Sequence, residues 1–383
     1  MNIGLKVGLK VGLSTTMIEP QLNGGRLDGI GVYTQALQRH LPAEGCEVQG
    51  FSFPSFKPRG TTDFSAGQAL PHSYELTSLL DLAIPARCHM PMDVFHSTDY
   101  RIVRMDCPVV ATLHDAVPIK FPHWCTPRLR GTKNWLQKKA AGKADRVIAL
   151  SHYAVTELVE CFGVNPDRIS VVYCGVGEQW QQAVAPEVVA ATLAELGLSP
   201  GYFLFVGTLQ PRKNVERILQ AYLGLPEAVR QAHALVIVGR AGWQCDTLVR
   251  EIQAAGQNGA AVIWLNQISD ERQLRHVYAG AGVFVFPSLY EGFGIPVVEA
   301  FAAQVPVITS NTTSLPEVSL GAALEVDPLS VDEIRAAMQT LVQDESLRSQ
   351  CIARGLQRVA QLTWQKTAEQ TAAVYRMALA GRG

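Results

Sequence analysis

The chain reads as an α/β protein built from two doubly wound parallel-sheet domains, and three observations predict this. Short apolar β-rich runs alternate with helical patterns along the whole length, as parallel strands joined by crossover helices require. The alternation pauses in a polar stretch at 175–200 and then restarts. At 383 residues the chain is also long for a single hydrophobic core.

In the first half, strands are predicted near 6–13, 47–53, 93–96, 109–113, 146–150 and 169–172. The first includes a tandem duplication, Leu5-Lys-Val-Gly-Leu-Lys-Val-Gly12, which either lengthens the strand or frays. The second half places strands near 203–206, 235–238, 262–265, 283–286 and 305–308. The stretch 175–200 carries Gly-Val-Gly-Glu and then a polar helix, and reads as a linker leading into the second domain. The expected domains are therefore 1–178 and 179–362, followed by a helix within 363–383. That helix spans 363–379, with Thr363 as its cap and Trp364, Ala368, Thr371, Ala372 and Tyr375 along one side. Two doubly wound domains facing a central cleft would bring both sets of strand C-termini to it, where ligands bind.

Composition narrows the function. With 48% apolar and 17% charged residues the chain is a soluble globular protein. A net charge of −1 argues against nucleic acid as a partner. The 8 cysteines are scattered without a CxxC or Cys/His cluster, so they read as reduced thiols of a cytoplasmic protein. No signal peptide is legible, and no apolar run is long enough to span a bilayer. There is no Asp-X-Asp to hold a metal-bound diphosphate, so neither a metal nor another cofactor is expected.

The most informative stretch is Ser288-Leu-Tyr-Glu291-Gly292-Phe293-Gly294-Ile295-Pro296-Val-Val-Glu299. A strand, a glycine-bearing turn and a proline-opened helix make an anion site of backbone N–H groups and helix dipole. Carboxylates do not bind phosphate, but Glu291 and Glu299 can accept hydrogen bonds from hydroxyls. Phosphate and hydroxyl recognition in one place suits a nucleotide sugar. Acidic residues also favour the first turn of any helix. Gly292 and Gly294, which permit close backbone approach, tip the reading towards function.

A second motif, Gly207-Thr208-Leu-Gln-Pro-Arg212-Lys213-Asn214, follows a strand. Two cations at a helix N-terminus oppose the dipole, which makes sense where an anion such as a diphosphate fills the gap; the alternative is a solvated basic turn. Val110-Ala-Thr-Leu-His114-Asp115 is a buried strand ending in His-Asp. His114 can donate to a ligand hydroxyl or shift protons, while Asp115 reads either as part of the site or as a cap. Arg26-Leu-Asp-Gly29-Ile-Gly31-Val-Tyr33 lacks the third glycine of a dinucleotide fingerprint. The basic stretch 128–146, with Trp135 and Leu136 interleaved, is either a solvated helix face or a peripheral contact with an anionic inner membrane.

These residues resemble the retaining glycosyltransferases of family 4, whose GT-B fold pairs two Rossmann-like domains, and within it the bacterial mannosyltransferases of O-antigen and exopolysaccharide synthesis. The likeness runs from Gly29–Tyr33 through Thr112–Asp115 and Phe205–Asn214 to Phe286–Gly294 and Ser314-Leu-Pro-Glu317. Its most specific element is the Glu-X7-Glu spacing of Glu291 and Glu299. The resemblance implies that Arg212 and Lys213 hold the donor diphosphate, and that Glu291 with the N–H groups of Gly292, Phe293 and Gly294 contacts sugar and phosphate. It implies Glu299 on the ribose, His114 on the donor sugar and Gly31 close to the diphosphate. Gly207, Thr208, Gly239 and Ile295 complete the donor set, with Arg240, Gln267 and Ile268 around the base. Thr208 stands where some relatives carry arginine, which throws more charge neutralisation onto Arg212 and Lys213. The C-terminal helix would cross back to the first domain.

The implied reaction moves a hexose, with mannose from GDP-mannose as the default, to a hydroxyl of a glycan or polyprenyl-linked acceptor. It proceeds with retention and without metal, in the cytoplasm or at the cytoplasmic face of the membrane. The alternatives are a UDP- or dTDP-hexose donor, a sugar-phosphate-acceptor synthase or epimerase of the same fold, and a non-catalytic nucleotide-sugar-binding subunit.

Overall fold

The computed structural model describes residues 8–25, 27–54, 64–83, 87–125, 129–268 and 270–381. Leu5–Val7 of the duplication, Arg26 and Arg128 lie outside them. The chain divides into two units, one of Met1–Lys120, Arg128–Cys174 and Trp364–Gly383, the other of Phe121–Pro127 and Gly175–Thr363.

The first unit holds seven parallel strands: β1 Leu9–Ser14, β2 Cys46–Ser52, β3 Gln68–Ala69, β4 Val94–Ser97, β5 Val109–Leu113, β6 Arg146–Ala149 and β7 Ile169–Val171. Their order is β3-β2-β1-β4-β5-β6-β7, so the winding reverses between β1 and β4. β4 and β5 are buried at every position, as inner strands covered on both faces must be. β3 escaped the sequence reading because two residues carry no periodicity.

The C-terminal helix, Trp364–Ala380, belongs to this first unit and packs on the helix Gly29–His40. Trp364, Ala368, Thr371, Ala372 and Tyr375 are all buried, which accounts for their spacing. Tyr375 reaches His96 in β4, its hydroxyl 2.7 Å from Nδ1, while His96 Nε2 lies 2.8 Å from Thr112 Oγ1. Burial, with His114 as a further influence, lowers the His96 pKa to about 3, so the imidazole is neutral and both nitrogens are hydrogen-bonded.

The second unit holds β8 Tyr202–Val206, β9 Leu235–Val238, β10 Val262–Leu265, β11 Ala281–Phe286, β12 Val307–Ser310 and β13 Leu324–Val326, all parallel. Their order is β10-β9-β8-β11-β12-β13, with the reversal between β8 and β11. Phe203, Phe205, Phe284 and Phe286 fill the core beneath this point, and Phe205 stacks on Phe286 with centroids 6.0 Å apart. β12 begins after Pro306, which has no N–H to give a ladder.

The stretch 175–200 is more than a linker with the one expected helix, and belongs to the second unit. It contains the helices Glu178–Gln181 and Pro186–Glu195. Trp180 is buried, meets Tyr278 edge-on at 5.2 Å and donates from Nε1 to Glu271 Oε1 at 2.8 Å. The buried residues of this stretch, Trp180, Leu193 and Leu198 among them, are scattered among exposed ones and too sparse to read as a core-facing pattern.

Candidate functional site

In an open parallel sheet, ligands bind beyond the strand C-termini where the winding reverses. In the second unit this places the segments after β8 and β11 side by side. After β8 the chain makes a 3-10 turn, Pro211–Lys213, and Asn214 takes left-handed backbone (φ 61°) before the helix Val215–Leu223. After β11 it turns through residues 287–294 into the helix Ile295–Ala302. Gly294 has φ 109°, and a Cβ there would stand 2.7 Å from Leu315 Cδ2, so glycine is required.

The two segments are tied through their backbones. Leu289 N donates to Arg212 O at 2.8 Å, and Asn214 Nδ2 donates to the carbonyls of Pro287 at 2.8 Å and Pro328 at 2.7 Å. Ser314 Oγ lies 3.0 Å from the carbonyl oxygens of both Glu291 and Phe293. The Glu291 turn is therefore held in place without spending the Glu291 side chain.

That side chain is engaged by both cations. Arg212 Nη1 donates to Glu291 Oε2 at 2.8 Å, and Lys213 Nζ donates to Oε1 at 2.6 Å. Lys213 is 8% exposed and Glu291 6%, and the ammonium also stands 4.7 Å above the Phe286 ring. Burial pushes the Glu291 carboxyl up, but Lys213 and Arg212 hold it below its ordinary value. Formally the triad carries one net positive charge. Two details of the expectation change. Arg212 and Lys213 stand in the turn before the helix, with Asn214 between. The gap between them and the turn after β11 is filled by the chain's own carboxylate.

Glu299, in the helix Ile295–Ala302, accepts from the Tyr278 hydroxyl at 3.1 Å. Burial, countered by this bond and reinforced by Glu271, raises its pKa to about 7. The neighbouring glycines serve packing. Gly239 has φ 147°, and a Cβ there would come 1.9 Å from Gly207 O. Its N–H donates to Leu265 O at 3.0 Å and its carbonyl accepts from Trp264 Nε1 at 2.8 Å, while Gly207 N donates to Val238 O at 2.9 Å. Gly207 and Gly239 thus let two strand ends approach, and both amides are occupied. Leu209 N donates to Arg240 O at 2.8 Å, which sets Thr208 and Arg240 on adjoining loops. Arg240 and Gln267 are exposed, and Ile268 is half-buried after β10.

In the first unit, His114 lies just beyond β5. Its Nε2 is 2.8 Å from Thr98 O and must donate, which leaves Nδ1 of the neutral ring as an acceptor. Burial holds its pKa below the ordinary value, and the Tyr33 ring packs edge-on at 5.2 Å. Nδ1 of the neutral ring can accept from a hydroxyl; donation to a ligand hydroxyl, one of the two roles expected for it, is already spent on Thr98. Asp115 Oδ1 accepts from Val117 N at 3.0 Å and from the Tyr100 hydroxyl at 2.9 Å, so the capping reading describes it. Gly31 N donates to Asp28 Oδ1 at 2.9 Å as part of the helix cap, and a Cβ there would press on Leu27 at 3.0 Å.

Within 128–146, the helix Arg130–Ala141 exposes Lys133, Lys138, Lys139 and Trp135, the last at 48%. Lys143 instead pairs with buried Asp81. Among the described residues no helix is long and apolar enough to cross a membrane, and no three His, Cys, Asp or Glu side chains cluster as a metal site.

Sequence reasoning missed Tyr278 and gave Ser314 no role. Tyr278 sits in an ordinary amphipathic helix, Glu271–Ala279, and nothing local marks it as the partner of Glu299. Ser314 acts through main-chain carbonyls, which no side-chain pattern reveals.

Comparisons with known proteins agree with one another. A family model described as Glycosyltransferase Family 4 matches residues 27–180, and one described as Glycosyl transferases group 1 matches 195–358. The chain is 32% identical over 286 residues to the O-antigen chain mannosyltransferase B of Escherichia coli, covering 74% of each chain. It is 28% identical to the alpha-maltose-1-phosphate synthase of Mycolicibacterium smegmatis over 70% of this chain and 73% of that one. Among solved structures, sucrose-phosphate synthase from Thermosynechococcus elongatus superposes with a TM-score of 0.75 at 22% identity, covering 97% of this chain and 100% of that one. WaaG, a glycosyltransferase of lipopolysaccharide biosynthesis, gives 0.68 at 16% identity over 95% of this chain and 99% of that one. The structural likeness speaks for the GT-B fold.

Proposed function

The chain belongs to glycosyltransferase family 4, and from that premise we propose that it transfers mannose from GDP-mannose to a hydroxyl of a glycan or lipid-linked acceptor in surface polysaccharide synthesis, with retention and without a metal ion. The mannosyltransferase relatives support the sugar. The observation that carries the site is the Arg212–Glu291–Lys213 triad at the β8–β11 reversal, beside a helix N-terminus.

Charge grows on the diphosphate as the sugar–phosphate bond breaks. Arg212 and Lys213 are held in fixed orientation by Glu291, so as diphosphate partners they would stabilise that charge with little reorganisation. Glu291 is ionised, and each oxygen keeps lone pairs beyond the one its cation uses, so it accepts from donor-sugar hydroxyls. Glu299 accepts from the ribose, and Nδ1 of His114 accepts from a sugar hydroxyl. The leaving phosphate oxygen takes the acceptor proton, and attack on the face it vacates gives retention. A lipid-linked acceptor would bring the protein to the cytoplasmic face of a membrane.

Thermal stabilisation by GDP, UDP, dTDP, ADP and CDP, with and without magnesium, tests the donor. Saturating ligand at a hundred times Kd adds about 2.7 kcal/mol, which a melting curve resolves. Selective, magnesium-independent stabilisation by GDP is expected. Preference for UDP or dTDP removes mannose, and an inverted anomeric product by NMR removes retention.

A further inference from the structure

Residues 121–125 lie between segments of the first unit in sequence but are grouped with the second. We propose that Phe121, His123 and Trp124 form an aromatic platform for the pyranose ring of the acceptor. The inference rests on the transferase reading above.

A 3-10 turn over Pro122–Trp124 eclipses side chains three apart. Phe121 and Trp124 therefore stack, with centroids 4.3 Å apart and 22° between planes. His123 stands against Trp124 at 5.3 Å. Phe121 in turn meets Tyr290 edge-on at 5.2 Å. Tyr290 is fully buried and directly precedes Glu291. The ladder thus starts one residue from the triad's carboxylate and ends in a half-buried indole and an exposed imidazole.

A core would bury such rings, and a solvated loop would hardly order three of them. A pyranose fits what is offered. Its face of C–H bonds packs on an indole, and its hydroxyl edge meets an imidazole able to donate or accept. A flat purine could also stack on Trp124, and the test separates the two ligands.

Trp124→Ala and Trp124→Phe are assayed with octyl α-glycosides of mannose, galactose and N-acetylglucosamine, using the one that wild type turns over fastest. Trp124→Ala is expected to raise the acceptor KM about tenfold, leaving kcat, the donor KM and stabilisation by GDP close to wild type. Trp124→Phe should restore the acceptor KM to within about threefold. An unchanged acceptor KM in Trp124→Ala overturns the proposal. So does loss of GDP stabilisation in that variant, which would put the ring under the nucleotide base. The transferase reading itself fails on a different result, the absence of nucleotide stabilisation in wild type.

Discussion

The Lys213 ammonium lies 2.6 Å from Glu291 Oε1, both side chains buried, across the point where the second sheet reverses its winding. The pair binds a motif after β8 to one after β11, so the cation proposed for the diphosphate and the carboxylate proposed for the sugar orient each other.

Lys213→Ala should therefore lower turnover by about a hundred- to a thousandfold, the loss typical of one preorganised charge-stabilising group. It should also cost about 1–3 kcal/mol of stability, because Glu291 stays buried with Arg212 alone. Steady-state kinetics and urea unfolding of the same variant check both. Near-normal turnover would take Lys213 out of the mechanism.

Glu291→Gln leaves two cations facing each other without a counter-charge. Its stability loss should shrink when Lys213 is also replaced, with a coupling of at least about 1 kcal/mol in a double-mutant cycle. Additive losses would mean that the contact contributes nothing.

Glu299 supplies a pH test. Its folded pKa is raised from 4.5 to about 7, so between these values the unfolded chain has lost a proton that the folded chain keeps. Stability then falls as pH rises through this window and levels off above it, by at most about 3 kcal/mol. Glu299→Gln should accordingly be more stable than wild type at pH 8 and gain nothing at pH 4. GDP stabilisation should improve from pH 6 to 8 more in wild type than in the variant, as the carboxylate becomes the stronger acceptor. Parallel pH profiles for the two proteins would refute both statements.

Gly239→Ala should lose about 3 kcal/mol or more, because the added carbon would sit 1.9 Å from Gly207 O on backbone that L-residues avoid. A melting temperature close to wild type would show that the strand ends can separate.

Tyr375→Phe removes the partner of His96 Nδ1 in a dry core, at a cost of about 1–3 kcal/mol. Stabilisation by GDP should persist. Loss of nucleotide binding in a folded variant would mean that this network does more than hold the C-terminal helix.

What the sequence determined by itself was periodicity and local chemistry. The inner strands β5 and β9 are apolar on both faces and the half-buried edge strand β10 is a short apolar run, so all three were legible residue for residue, and the proline-opened helix that carries Glu299 announced its own N-terminus. Those signals lie within a few residues of each other. The tertiary structure alone decided strand order, and with it that the turns after β8 and β11 are neighbours. It decided that Glu291 neutralises Arg212 and Lys213, that Tyr278 holds Glu299, and that 175–200 packs into the second unit. Each joins residues far apart in the chain, where the energy comes from burial and geometry that no local pattern encodes.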